Sequence, residues 1–165
     1  MRKFIAGSLL AVGVASLPTA ISPGQTTPAP SRDYNNDPRS HTLRDFFHRW
    51  DCPAERYSNT FIEAADVYAL DWRLLPSISF VESAGGKAAP NNNMFGWNSG
   101  KTQFETPAAG IHTVGYRLSH SDLYRSKSLD SMLLTYNPNP DYVQLVKTVM
   151  RRIAPTAYSR SRTPM

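Results

Sequence analysis

Cysteine is nearly absent from this sequence, which has only Cys52 among its 165 residues. Because a disulfide needs two cysteines, an intramolecular disulfide is excluded, and we expect the Cys52 thiol to be buried. The four histidines, at positions 41, 48, 112 and 120, share no metal-ligand spacing with acidic residues or with Cys52. We therefore predict no metal site. A glycine-rich phosphate-binding loop is also missing, and no cofactor is predicted.

Long hydrophobic runs are missing as well, and no segment of the sequence is long enough to cross a bilayer. The apolar stretch at residues 4–15 is broken by glycine, is preceded by Arg2 and Lys3, and is followed by small residues. This arrangement is typical of a secretory signal peptide. We predict a signal peptide over residues 1–20, cleaved between Ala15 and Ala20, and export to the periplasm or the extracellular space.

The excess of positive charge is small, with 18 Lys and Arg against 13 Asp and Glu. Loss of Arg2 and Lys3 with the signal peptide leaves 16 basic residues and a net charge of +3. A charge of this size suits an anionic partner such as a cell-wall polymer, but solubility alone also produces it. The export signal opposes a nucleic-acid-binding role.

Apolar periodicity and helix caps divide the rest of the chain into three parts. Residues 21–40 lack an apolar period and are predicted to be a disordered linker, and residues 154–165 a disordered basic tail. Residues 41–153 are predicted to form one monomeric, mainly α domain of about six helices, with at most a short β-hairpin after Trp97. The predicted helices are 43–50 capped by Thr42, 53–70, 72–82 capped by Asp71, one starting at Thr106-Pro107, 129–136 capped by Ser128, and one starting at Asn139-Pro140.

Glu82 stands at the end of the third predicted helix. Leu74, Ile78 and Val81 recur on one face of that helix, and the glycine pair at 85–86 is predicted to supply its left-handed C-cap. The helix dipole and burial against aromatic neighbours would both disfavour the ionised carboxylate and raise its pKa. A carboxyl that stays protonated can donate a proton to a glycosidic oxygen. An isolated glutamate at a helix end is more commonly a solvated surface residue.

The pair Glu82-Ser83 is followed, about ten residues later, by the segment NNMFG at 92–96. In this order the two pieces resemble the glucosaminidase (endo-β-N-acetylglucosaminidase) family of the lysozyme-like superfamily and, more loosely, the lytic transglycosylases. The similarity continues through FETPAAGI at 104–111 and TYNPNPDY at 135–142, and covers residues 64–153. The resemblance implies a lysozyme-like helical fold, a sugar-binding cleft and cleavage of the glycan strands of peptidoglycan.

The same resemblance implies roles for individual residues. Glu82 matches the catalytic acid of the family. Aromatic faces suit the C–H surfaces of sugars, and an amide can hold an N-acetyl group, although each aromatic residue could instead pack in the core. The candidate substrate-binding residues are Ser83, Asn93, Phe95, Trp97 and Tyr136.

A glycoside hydrolase normally needs a second carboxylate. Glu105 is the one acidic residue close after the Phe-Gly segment, and it is the candidate for that role, although its place before a helix start suits a surface residue equally well. Without a second acid, the substrate's own N-acetyl group could assist, or Glu82 could act first as acid and then as base, as the resemblance to lytic transglycosylases implies. A non-catalytic wall-binding module on the same fold is the remaining alternative.

Overall fold

The computed structural model describes residues 32–156. The predicted signal peptide, residues 21–31 of the predicted linker and residues 157–165 of the predicted tail lie outside the described residues. The described part is mainly helical and contains no β-strand, which confirms the predicted fold class. Its helices are α1 (Pro38–Arg49), α2 (Ser58–Val67), α3 (Leu74–Ser83), α4 (Pro107–His120), α5 (Leu129–Tyr136) and α6 (Pro140–Ile153), with short 3-10 helices at Tyr34–Asn36, Pro53–Tyr57 and Pro90–Asn92.

The last three helices begin where the sequence predicts. In each, the side chain of the capping residue accepts a hydrogen bond from a backbone N–H of the first turn, which satisfies a donor that has no partner inside the helix. The caps are Thr106 for α4, Ser128 for α5 and Asn139 for α6. None of these helices, nor any other in residues 32–156, combines the length and apolarity needed to cross a membrane.

Helix α1 begins earlier than predicted, at Pro38 rather than after Thr42. Asp37 is its cap, because the Asp37 side chain accepts a hydrogen bond from the Arg39 backbone N–H at 2.9 Å, and proline at the first helical position lacks an N–H that would need a partner. The helix also ends at Arg49, so Trp50 lies outside it with 48% of its surface exposed.

A network of ion pairs joins the segment before α1 to the end of α2. The Arg39 guanidinium binds the carboxylates of Asp37 at 2.7 Å and Asp66 at 2.8 Å, and Arg32 binds Asp66 at 2.7 Å. Residues 32–40 therefore belong to the folded domain, and the predicted linker is wrong for them. The sequence pattern did not indicate this, because Asp66, which pairs with Arg32 and Arg39, lies far from them along the chain.

The region between residues 53 and 83 departs from the predicted helix boundaries. The single helix predicted over 53–70 is a 3-10 helix, Pro53–Tyr57, followed by α2. Helix α3 begins at Leu74 and is not capped by Asp71, whose carboxylate instead accepts from the Arg73 backbone N–H at 3.0 Å and pairs with its guanidinium. Pro76 then falls in the first turn, where its missing N–H leaves no hydrogen bond unmade.

The core contains residues from all six helices, and α3 packs against α2, α4 and α6. Seven of the ten residues of α3 are buried, so this helix is enclosed on most sides. Cys52 is buried as predicted. Ala154 is also buried, and its carbonyl accepts from Arg73 at 2.9 Å, so the folded domain extends one residue into the predicted tail. The largest fully buried side chains are Leu43, Phe46, Phe47, Phe61, Ile62, Leu75, Ile78, Phe95, Ile111, Val114, Leu118 and Leu133.

Candidate active site

Helix α3 ends one residue after Glu82, in a left-handed stretch of backbone. Ala84 has φ of +52°, and its N–H donates to the carbonyls of Ser79 and Phe80, so Ala84 is the left-handed cap rather than the predicted glycine pair. Gly85 follows at φ +62°, where a Cβ would lie 2.8 Å from the Cβ of Cys52. Only glycine allows this approach, which fixes the direction in which the chain leaves the helix.

The Glu82 carboxyl lies between the loop after α3 and helix α6. Gly96 has φ of +59°, and a Cβ added to it would lie 2.6 Å from Glu82 Oε2, so the carboxyl rests directly against the Gly96 backbone. Tyr142, from α6, is buried and lacks a formed hydrogen bond within the described residues. Its hydroxyl nonetheless lies near enough to the Glu82 carboxyl to interact with it.

The surroundings of Glu82 favour its protonated form. Burial raises the pKa of Glu82, and the weaker opposing influence is the Tyr142 hydroxyl, which lowers it. Burial and the negative charge of Glu82 raise the pKa values of Tyr136 and Tyr142, so both hydroxyls keep their protons. In residues 32–156, no second carboxylate contributes to the pKa of Glu82. The site therefore has one carboxyl, which stays protonated to higher pH than an ordinary glutamate.

Two polar side chains beside Glu82 hold the loop rather than face a ligand. The buried Ser83 hydroxyl donates to the Met94 carbonyl at 2.8 Å and accepts from the Gly86 N–H at 2.9 Å. The buried Asn93 side chain accepts from the Trp97 N–H at 2.9 Å and donates to the Trp97 and Thr102 carbonyls at 3.0 Å. These hydrogen bonds use their polar atoms, and the structure does not place Ser83 or Asn93, both predicted to bind substrate, among the residues that line the cleft described below.

Phe95 is also structural, because its ring is fully buried and packs edge-on to Phe61 with a centroid distance of 6.4 Å. Phe95 was predicted to bind substrate, but the structure places its ring in the core and brings only its backbone to the site. The Phe95 carbonyl accepts a hydrogen bond from the Tyr136 hydroxyl, which joins the end of α5 to the loop that contains Gly96.

A cleft of about 520 Å³ has Gly96 in its wall, and Glu82, which rests against Gly96, does not itself line it. Trp97 contacts both Tyr136 and Tyr124, with ring centroids 5.6 Å and 6.1 Å apart. Trp97 and Tyr136 are thus the two predicted substrate-binding residues that the structure brings to the cleft. The lining residues are Gly96, Trp97, Asn98, Ser99, Thr102, Arg117, Tyr124 and Tyr136.

Glu105 lies apart from this arrangement. It is exposed, directly before the Thr106 cap of α4, and its backbone carbonyl accepts from the Asn92 side chain at 3.1 Å. It neither lines the cleft nor contributes to the pKa of Glu82. The structure thus does not bring the two predicted catalytic carboxylates together.

Three residues at the site carried no predicted role in it. Tyr124 and Arg117 line the cleft, and Tyr142 approaches Glu82. The sequence offered a signal for Tyr142, because it ends the TYNPNPDY segment, but a buried tyrosine on α6 is equally typical of core packing. Arg117 lies in the last turn of α4, where a basic side chain is common because it interacts favourably with the negative end of the helix dipole. Its position in the sequence therefore did not indicate a binding role.

The arrangement can supply one proton donor beside a groove with aromatic walls. No three His, Cys, Asp or Glu side chains cluster in a metal-binding group anywhere in residues 32–156. No protein-family model, curated protein or solved structure matches this chain.

Proposed function

We propose that this protein is an exported, monomeric enzyme of lysozyme-like fold that cleaves the glycan strands of peptidoglycan, with Glu82 as its general acid. One observation carries the proposal. The Glu82 carboxyl is half-buried, has a raised pKa, and rests against Gly96, whose backbone forms a wall of the aromatic cleft. The resemblance of the Glu82-Ser83 and NNMFG segments to the glucosaminidase family supplies the substrate class.

The first step is transfer of the Glu82 proton to the oxygen of a β-1,4 glycosidic bond. The bond between that oxygen and C1 then breaks, the leaving sugar departs with the proton, and positive charge develops on the sugar ring that keeps C1. Trp97, Tyr124 and Tyr136 supply aromatic faces for the sugar rings. Because Tyr136 and Tyr142 remain neutral, neither is a phenolate that could take the Glu82 proton in place of the glycosidic oxygen.

The second step distinguishes two versions of the enzyme. In an endo-β-N-acetylglucosaminidase of the two-carboxylate type, a second acid such as Glu105 handles the attacking water or forms the intermediate. The exposed position of Glu105 and its lack of influence on Glu82 favour the single-carboxylate version. There, ionised Glu82 removes the proton from the C6 hydroxyl of the N-acetylmuramic acid residue, and O6 bonds to C1 to give a 1,6-anhydro end.

Digestion of purified glycan strands by the wild type and Glu82→Gln tests the proposal. Glutamine keeps the shape of the side chain but has no acidic proton, so we expect product formation to fall by about three orders of magnitude or more. Glu105→Gln is the matched control and should retain most activity in the single-carboxylate version. Equal product from the wild type and Glu82→Gln would end the proposal, and strand binding without any cleavage would indicate the wall-binding module instead.

Mass spectrometry of products formed in ¹⁸O-labelled water separates the two versions. Hydrolysis places one ¹⁸O atom at each new reducing end. The single-carboxylate route yields anhydro ends that contain no solvent oxygen and are lighter by one water. We expect anhydro ends from the wild type. Labelled reducing ends, together with loss of activity in Glu105→Gln, would assign the two-carboxylate hydrolase.

A further inference from the structure

Arg117 is the one charged side chain among the residues that line the cleft beside Glu82. The others are aromatic, neutral polar or glycine. Arg117 is exposed and lies in the last turn of α4. Its guanidinium therefore has access both to solvent and to a molecule bound in the cleft.

The Arg117 guanidinium lacks an ion-pair partner within residues 32–156, whereas several other basic side chains of the fold have one. Arg39 binds Asp37 and Asp66, Arg73 binds Asp71, Arg125 binds Asp122, and Lys147 binds Asp130. No hydrogen bond within the fold fixes the Arg117 side chain either. Its five N–H donors are therefore available to an external acceptor.

The chemistry of the proposed substrate contains a matching acceptor on only one of its two sugars. N-acetylglucosamine is uncharged, whereas N-acetylmuramic acid bears a lactyl ether that ends in a carboxyl group. That group is free in strands without stem peptides, and in substituted strands the stem peptide adds carboxylates of its own. A guanidinium binds a carboxylate through two parallel hydrogen bonds, a geometry that an ammonium cannot reproduce.

We propose that Arg117 is a specificity-determining residue that binds a carboxylate on the N-acetylmuramic acid side of the glycan strand. This inference rests on the proposed function and narrows its substrate class. The cleft selects strands that carry a muramoyl carboxylate over chitin-type chains made only of N-acetylglucosamine. Trp97, Tyr124 and Tyr136 contact the sugar rings of both kinds of chain, so they contribute affinity but little discrimination.

Binding measurements in the Glu82→Gln background test this inference without requiring cleavage. Three probes are titrated while Trp fluorescence is followed: N-acetylglucosamine pentamer, glycan strands freed of stem peptides, and strands that keep their stem peptides. We expect Arg117→Gln to weaken binding of carboxylate-bearing strands about tenfold and to leave the uncharged pentamer unchanged. Arg117→Lys should recover part of the loss, because it restores charge without the two-bond geometry.

Arg152→Gln is the matched control. Arg152 is exposed, has no ion pair in the described part of the chain and lies outside the cleft, so its removal changes the net charge equally. It should leave all three affinities unchanged. Equal losses in Arg117→Gln and Arg152→Gln would show that only net charge matters and would overturn the inference.

The remaining outcomes are equally decisive. A loss confined to stem-free strands assigns the lactyl carboxylate, and a loss confined to stem-bearing strands assigns the peptide carboxylates. Unchanged binding of both strand types by Arg117→Gln, or a similar loss for the uncharged pentamer, overturns the inference. If Arg117 controls binding but the wild type cleaves nothing, the inference stands and the proposed enzymatic function fails.

Discussion

The Tyr136 hydroxyl donates a hydrogen bond to the carbonyl of Phe95, and this bond connects helix α5 to the loop against which Glu82 rests. The ring of Tyr136 also stacks on Tyr142, with centroids 6.0 Å apart and planes within 6°. Tyr136 therefore lines the cleft and also contacts two neighbours of Glu82, the Gly96 loop and Tyr142.

Tyr136→Phe tests the importance of this hydrogen bond. The substitution keeps the ring but leaves the Phe95 carbonyl without its partner, so we expect the free energy of unfolding to fall by about 1–2 kcal/mol. Cleavage should also slow, because the Gly96 loop becomes less fixed. Urea denaturation and strand digestion measure the two effects. Tyr57→Phe is the control, since no hydrogen bond of the Tyr57 hydroxyl is found in the described residues, and an equal loss there would refute the assignment.

Gly96→Ala tests whether the Gly96 backbone positions the Glu82 carboxyl. The new Cβ would lie 2.6 Å from Glu82 Oε2, so the carboxyl must move. A displacement of about 1 Å can slow catalysis on the order of 100-fold, and we expect a loss of 10- to 100-fold in strand cleavage.

The positive φ of Gly96 complicates that variant, because alanine is strained there by about 1 kcal/mol whatever its neighbours. Gly100→Ala separates the two effects, since Gly100 has φ of +76° and open space around its Cβ position. Both variants should lose similar stability in urea denaturation, but only Gly96→Ala should lose most of its activity. Similar activities in the two variants would show that Gly96 does not position Glu82.

The predictions from sequence succeeded where structure depends on neighbouring residues. Thr106, Ser128 and Asn139 each combine a capping side chain with a suitable first turn, so the starts of α4, α5 and α6 follow from a few consecutive residues. The start of α1 was not predicted correctly, although Asp37 is a capping residue and Pro38 is a proline at the first helical position. Arg39 and Asp66 hold this segment in the domain, and a pair 27 residues apart leaves no local pattern.

The site was predictable only in part for a similar reason. Glu82 could be found because its burial follows from its own helix. The NNMFG loop could not be divided into inward and outward side chains, since a loop has no fixed period. The structure places Asn93 and Phe95 inside and Trp97 in the cleft. The position of Arg117 depends on how α4 packs beside residues 97–102, which the sequence of α4 does not encode.

Arg39→Met tests whether residues 32–40 contribute to the stability of the domain. The substitution leaves the carboxylates of Asp37 and Asp66 without the Arg39 guanidinium, so we expect a loss of about 2–3 kcal/mol at neutral pH. The bond to Arg39 is also the main reason that the pKa of Asp37 is lowered in the folded state.

The pH dependence of the loss follows from that lowered pKa. The stabilisation of the wild type is present above the unfolded pKa of an aspartate, about 3.9, and disappears as pH falls through the lower folded value. The difference between the wild type and Arg39→Met should therefore shrink below about pH 4 in urea denaturation. Arg49→Met, which removes a guanidinium with no carboxylate partner in residues 32–156, should change stability by less than about 0.5 kcal/mol. A loss in Arg39→Met as small as in this control would contradict the prediction.

Glu82→Gln should make the protein more stable above the folded pKa of Glu82, because the wild type must then hold a charged carboxylate in a half-buried position. The pKa of Glu82 is raised in the folded state. Between the unfolded and the folded pKa, the folded state therefore binds more protons than the unfolded state. The free energy of unfolding of the wild type consequently falls as pH rises through the folded pKa. Below an unfolded pKa of about 4.3, both states are protonated and the two proteins should have similar stability.

At pH 8 we expect a gain of roughly 0.5–1 kcal/mol for Glu82→Gln, after allowance for solvent screening. Urea denaturation at pH 4 and pH 8 measures it, with exposed Glu105→Gln as the control, and a gain of equal size at both pH values would show that packing rather than ionisation is responsible.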